Sequence, residues 1–277
     1  MCVTTDGMFM IIGVTMGCLS DDASKINIYG IEHGTKLNEP MKTEFSYGNH
    51  CDKTQRIKGC YYPHEKEITG IVAKTSYQGN TTFYSCSKDF YVKEWCFNYQ
   101  TQKVHLSRTW KNLDLDKNME NENWRMMLTR DECWVLVADE WNTIYQLPTD
   151  NACNWEGRAI KKYSNLGLSR LASWAVDKYS QIMYIGDENG DILEVQMDET
   201  RAVHATMSHK RKVGDKKITS ICISPDERSL LCGDQAGDMK RVQIGDRNDT
   251  GKEFLGKIHR NEINRVATFN DSERQKW

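Results

Sequence analysis

Short apolar runs recur along this chain, set apart by clusters of Asp, Ser, Thr, Gly and Asn, and they come in groups of three. The middle run of each group is uncharged and, Thr82, Ser85 and Ser87 apart, almost wholly apolar: Thr82–Ser87, Cys133–Ala138, Ile182–Gly186 and Ser229–Gly233. So short and continuous a run predicts a strand buried on both faces. The following run mixes apolar and polar residues, as in Val92 to Trp95 and Ile192 to Val195, and predicts a half-buried strand. Turn formers such as Asp177 to Ser180 and Ser224-Pro225-Asp226 separate the first run from the middle one. A tight turn separates the middle run from the third, where Gly190 or Gly237 supplies a positive φ.

The groups are copies of one another. Gly186–Val195 is echoed 47 residues later by Gly233–Val242, with Gly, Asp, Gly, Asp and Val in register. A period in the forties marks a repeat architecture. Five repeats are laid out. Their strands lie at Met8–Thr15 and Lys25–Tyr29, Ile68 to Trp95, Trp124 to Leu147, Leu171 to Val195, and Ile218 to Ile244. A sixth opens at Ile263–Phe269. Lysine-bearing segments at Arg158–Tyr163 and Glu253–Ile258 are expected as outer edge strands. Residues 33–67 are expected to hold an outer strand and an extended loop. The run His209–Lys212, with Lys216 and Lys217, is expected as a basic solvated loop.

These repeats resemble WD40 repeats. In the second, Ser87 and Asp89 precede Val92 and Trp95, and His64 stands four residues before Ile68. His259 stands in the same relation to Ile263. Leu147, Val195 and Ile244 fill the Trp position elsewhere, and Asp139, Asp187 and Asp234 replace the usual Ser or Gly ending the middle strand. The family's Trp–Ser–His–Asp network is therefore expected in the second repeat alone. The resemblance spans almost the whole chain. It implies an all-β fold: one domain over residues 1–277, a β-propeller of four-stranded antiparallel blades, about five of them plus a partial sixth. Because the repeats begin and end inside blades, an incompletely closed ring and a piece of a longer protein are expected. The family implies a non-catalytic scaffold that binds other proteins along a propeller rim.

Composition narrows the chemistry. A net charge of −2 and a pI near 6.4 give no overall field for nucleic acid, so none is expected. The ten cysteines form no Cys-x-x-Cys pair, which predicts reduced, mostly buried thiols in the cytoplasm. Met8–Leu19 is too short to cross a bilayer and lacks a basic flank, so it is expected as a buried strand, with no membrane insertion. Sequons at Asn80, Asn248 and Asn270 are taken as chance matches. No nucleophile elbow, zinc-binding helix or phosphate loop occurs, so no catalytic residue, cofactor or metal is expected.

Asp139, Asp187 and Asp234 recur at equivalent places on successive repeats. One reading has each accept hydrogen bonds from its own turn. A second is an acidic rim, with Glu188, that draws a basic peptide. A cation site is a third. Asp89, Phe90 and Trp141 fall on the same expected face, where an aromatic beside carboxylates would anchor a partner. Two other functions stay open: a metal-dependent propeller hydrolase of lactonase type, and nucleic-acid or phospholipid binding through the 209–217 loop.

Overall fold

The computed structural model describes residues 2–3, 9–15, 24–30, 44–47, 63–75, 79–101, 103–111, 125–129, 131–139, 142–149, 160–164, 166–177, 182–197, 206–245 and 251–266. Every regular element among them is a strand. The first sheet, β1-β2-β3, holds β1 (Cys2–Val3), β2 (Phe9–Thr15) and β3 (Ser24–Gly30). The second holds β4 (Glu44–Tyr47), β5 (Ile68–Ala73), β6 (Asn80–Ser87), β7 (Tyr91–Asn98) and β8 (Lys103–Lys111), in the order β4-β8-β7-β6-β5. The third is β12-β11-β10-β9, from β9 (Arg125–Leu128), β10 (Trp134–Ala138), β11 (Ile144–Pro148) and β12 (Lys161–Tyr163). The fourth runs in chain order through β13 (Leu171–Val176), β14 (Ile182–Asp187), β15 (Asp191–Gln196) and β16 (Thr206–Lys212). The fifth repeats it with β17 (Ile218–Ile223), β18 (Ser229–Asp234), β19 (Asp238–Gln243) and β20 (Lys252–Lys257). None of the described sheets joins strands from the two ends of the chain.

The chain forms two compact units, one of residues 1–128, 132–139 and 145–160, the other of 129–131, 140–144 and 161–277. In the first unit β6 is buried on both faces, as its apolar run implies. Phe83 packs with Trp95, Phe97, Val104 and Ile71 against Ile11, Ile26 and Ile28 of the first blade. Its neighbours Tyr84 and Cys86 turn the other way, onto Val135, Val137, Tyr145 and Leu147 of the third. In the second unit Ala175, Tyr184 and Ile192 meet Ile218, Ile221, Leu230, Cys232 and Val242 between the fourth and fifth blades. Each such large side chain contributes about 1.5–3 kcal/mol by leaving water.

One packing device recurs within the units. A middle-strand glycine takes an isoleucine from the next first strand: Gly13 takes Ile68, and Gly186 takes Ile218. A Cβ would sit 2.9 Å from Ile68 Cγ2 at Gly13 and 2.8 Å from Ile218 Cγ2 at Gly186. A serine rung accompanies it. Ser24 Oγ accepts from Ile68 N–H at 3.2 Å, and Ser173 Oγ accepts from Ile221 N–H at 2.9 Å. Ile263, 5% exposed, sits on Gly233 in the same way, and Val266 N–H donates to Ser220 Oγ at 2.7 Å. The sixth repeat thus docks its opening residues, although residues 263–266 hold no strand and 267–277 lie outside the described residues.

Two expectations change. The outer strand expected between residues 33 and 67 exists as β4, but it runs parallel to β8 as a fifth strand of the second blade, with Glu44 opposite Lys103 and Tyr47 opposite Leu106. The basic run His209–Lys212 belongs to strand β16, antiparallel to β15, and is not a loop. Its residues alternate: Arg211 is 7% exposed and donates to the Gln243 carbonyl at 2.7 Å, while Lys210 and Lys212 point to solvent and face Asp191. Of the expected outer strand Arg158–Tyr163, Lys161–Tyr163 is strand.

Candidate functional site

The turns between middle and third strands are where the repeats place their polar chemistry. In the second blade these groups are buried and linked. His64, fully buried ahead of β5, donates from Nδ1 to the Asp89 carboxylate, at 2.9 Å from Oδ2. Its Nε2 accepts from Ser85 O–H at 2.7 Å, and Ser85 Oγ accepts from Trp95 Nε1–H at 2.8 Å. The imidazole and the hydroxyl thus each donate once and accept once, with the ring neutral. The carboxylate also takes the backbone N–H of Glu65 and Tyr91, at 3.0 and 3.1 Å. The Lys93 ammonium donates to the Pro63 carbonyl at 2.6 Å and so ties the entry of β5 to β7.

The serine of this network is Ser85, where the sequence pointed to Ser87. Side chains alternate along β6, so Ser85 and Phe83 share a face, and the Trp95 ring stacks on Phe83 at a centroid distance of 6.2 Å. Ser87 braces the turn instead, since its hydroxyl donates to the Lys66 carbonyl at 3.0 Å and accepts from Asp89 N–H at 3.2 Å.

Burial holds the His64 imidazole below its ordinary value of 6.5, although the hydrogen bond and charge of Asp89 pull the other way. Burial would raise the Asp89 carboxyl, but the hydrogen bond from His64 and the charge of Lys93 outweigh it and hold it below the ordinary 3.8. Both shifts have the same sign for stability. Below pH 6.5 the unfolded chain takes up a proton at His64 that the folded chain refuses, and below 3.8 a second at Asp89. The unfolding free energy is therefore expected to fall as pH drops through this range, by up to about 1.4 kcal/mol per pH unit for each proton, and the thermal midpoint with it. A pH series on wild type and His64→Gln checks it; identical pH slopes for the two would remove His64 as the source.

In the second unit a single aspartate fills the roles of Ser87 and Asp89 together. Asp187, fully buried at the end of β14, accepts from Asn189 and Asp191 N–H on Oδ1, both at 2.9 Å, and from Ser169 O–H on Oδ2 at 3.1 Å. Asp234, 3% exposed at the end of β18, accepts from Ala236 and Asp238 N–H at 2.9 and 3.0 Å, and from the Lys240 ammonium at 3.0 Å. In the first unit Asp139 is 5% exposed, just after β10. Of the readings open from the sequence, the geometry of Asp187 and Asp234 matches aspartates that brace their own turns. They face inward, so a rim built of their carboxylates has no solvent-facing charge. Asp187→Ala is expected to cost about 1–3 kcal/mol by stranding buried N–H groups, read from denaturant unfolding.

What faces solvent is the residue after each brace. Glu188 is exposed, with Arg170 Nη1 and Lys217 Nζ at 3.8 and 3.7 Å, and Gln235 is exposed at the equivalent place. Exposed pairs at such distances contribute little to stability. In the first unit Phe90 sits at φ 67°, half-buried against the core, with the Lys66 ammonium 5.8 Å from its ring centre. Trp141 lies outside the described residues. His259, expected as the histidine of the sixth repeat, is exposed, and its backbone N–H donates to the Gly237 carbonyl at 3.2 Å. Among the described residues no three His, Cys, Asp or Glu side chains gather as a metal site. Burial pushes the thiols of Cys86 and Cys232 up to about 12.

Sequence pattern alone did not single out Ser85, Lys93, Ser169 or Lys240 as partners in these networks. It also missed the side chains most exposed for their type, Phe254 and Ile258 at 61% and 53%.

No protein-family model matches the sequence, and no curated protein matches it. Solved structures do. The chain matches Sqt1 of Chaetomium thermophilum, in a crystal structure with the N-terminus of ribosomal protein L10 bound. The TM-score is 0.63 at 13% identity, over 94% of this chain and 61% of that one. At such identity the likeness is one of fold: the chain has the β-propeller fold, built of antiparallel blades.

Proposed function

We propose that this propeller is a non-catalytic scaffold of WD40 type that docks segments of other proteins on the rim formed by its blade turns. The observation that carries the reading is the bracing of those turns by buried carboxylates. Asp187 and Asp234 hold turns of the same hydrogen-bond pattern on neighbouring blades of the second unit. Turns held this way are pre-organised, and a partner loses little ordering entropy in binding them. The solved Sqt1 structure, with a ribosomal-protein N-terminus bound, supports a protein segment as the ligand class. Glu188 beside the turn favours a segment with a basic residue. Buried, high-pKa thiols at Cys86 and Cys232 suit a reducing, cytoplasmic setting.

Affinity capture with mass spectrometry, comparing wild type with Glu188→Lys/Gln235→Lys, tests the reading. These residues are exposed, so the thermal midpoint is expected to hold while specific partners are lost. An unchanged partner set from the folded variant would reject the rim as the docking surface. Metal content of the same preparations separates scaffold from hydrolase: stoichiometric calcium would favour the hydrolase.

A further inference from the structure

We propose a second docking surface, independent of the rim: the outer edge of the fifth blade, β20, receives an extended, acidic, aromatic-bearing segment of another protein as an added strand.

The outer strands of three blades differ in what covers them. The edge of β8 is occupied, because β4 lies along it in parallel register from Lys103 to Leu106. The edge of β16 displays Lys210 and Lys212, but both are already engaged with Asp191 of the same blade. No described strand lies beyond β20. Yet its surface is apolar: Phe254 is 61% exposed, Leu255 41% and Ile258 53%, three of the four large hydrophobics exposed among the described residues. A sheet edge beside clustered apolar side chains is the arrangement that strand addition uses, with backbone groups giving affinity and side chains specificity.

The charge around the edge selects the occupant. Lys252, Lys257 and Arg260 are exposed along it, against Glu253, whose carboxylate has Arg241 Nη1 at 3.9 Å. A cationic, apolar edge fits a segment that alternates acidic and aromatic residues. The chain contains one such pairing already. Glu44-Phe45-Ser46-Tyr47 lies opposite Lys103-Val104-His105-Leu106, an acidic and aromatic strand on a basic and apolar edge. That pairing ends beside the bulge of β8, where the register slips between Glu94 and Trp95. In β20 the register slips between Met239 and Lys240, leaving out Leu255, and Gly256 has φ 132°. The incoming strand therefore runs beside Lys252–Phe254 and lays its side chains over Phe254, Leu255 and Ile258.

Fluorescence anisotropy with the full chain tests this. The probes are two labelled peptides: one with a Glu-Phe-Ser-Tyr core between acidic flanks, and one with Lys at every acidic position. The acidic peptide is expected to bind, and the lysine version to bind roughly tenfold or more weakly, with the difference shrinking as salt rises. Phe254→Ser/Leu255→Ser and Lys257→Glu are each expected to weaken the acidic peptide roughly tenfold, while Glu188→Lys leaves it unchanged. Equal binding of the two peptides, binding of neither, or full binding to Phe254→Ser/Leu255→Ser overturns the proposal. Loss with Glu188→Lys alone also overturns it and returns the ligand to the rim. Sedimentation of wild type showing a dimer that Phe254→Ser/Leu255→Ser dissolves would assign the edge to a second copy, which also overturns it.

Discussion

Trp95→Ala is expected to destabilise the first unit by about 3–5 kcal/mol, the range for deleting a fully buried large aromatic. Trp95 has no exposed surface, stacks on Phe83 and belongs to the cluster that joins the first two blades. Its loss leaves a void between sheets that are braced against each other at that point. It also takes the Nε1–H donor from Ser85, which remains bonded to His64. Trp95→Phe separates the two contributions. It keeps most of the ring volume and removes the donor, so about 1–2 kcal/mol of the loss is expected to remain. Denaturant unfolding of the two variants decides the matter. If Trp95→Phe loses as much as Trp95→Ala, the hydrogen-bond network outweighs packing; a loss below about 1 kcal/mol for Trp95→Ala would mean that Trp95 does not hold the two blades together.

Gly237→Ala is expected to lower the stability of the second unit by roughly 3 kcal/mol, from backbone strain and forced displacement together. Gly237 sits at φ 86°, where a Cβ is disfavoured by itself. The space is also taken: a Cβ there would run into the backbone carbonyl of His259 and stand 2.7 Å from that of Asn261. Gly190, at φ 83°, meets the carbonyls of Gly214 and Lys216 in the same way. Backbone cannot swing aside as a side-chain tip can. Gly79 is the control: its φ is 74°, but nothing lies within 4 Å of a Cβ. Gly79→Ala is expected to lose only the strain, about 1–2 kcal/mol. Thermal midpoints of the two variants give the test, and equal losses at Gly79 and Gly237 would show that the carbonyl contacts do not matter.

The middle strands were legible because burial on both faces leaves little room for charged residues, so Ile182–Gly186 or Ser229–Gly233 can be read without a partner strand. The turn aspartates were legible by period. Their spacing shows that Asp187 and Asp234 are equivalent; burial shows that they point inward. Ser85 was hidden by parity, since choosing between two serines two residues apart on one face takes the position of Trp95 across the ladder. The basic run misled because arginine buries its stem and head while reading as charge, as Arg211 does over the Gln243 carbonyl. The partner of β4 was beyond the pattern altogether. Alternation marks a strand but does not say which edge receives it, nor in which direction.

That parallel pairing has a consequence for synthesis. Glu44 lies opposite Lys103, so β4 is translated 59 residues ahead of the edge that receives it. At about 5–20 residues per second the nascent segment waits roughly 3–12 s outside the ribosome with its backbone groups unclaimed. The second blade is thus completed by a piece of chain made before its own first strand. A pause in elongation between β4 and β8 lengthens that interval, and with it the time an unpaired strand stays open to wrong partners.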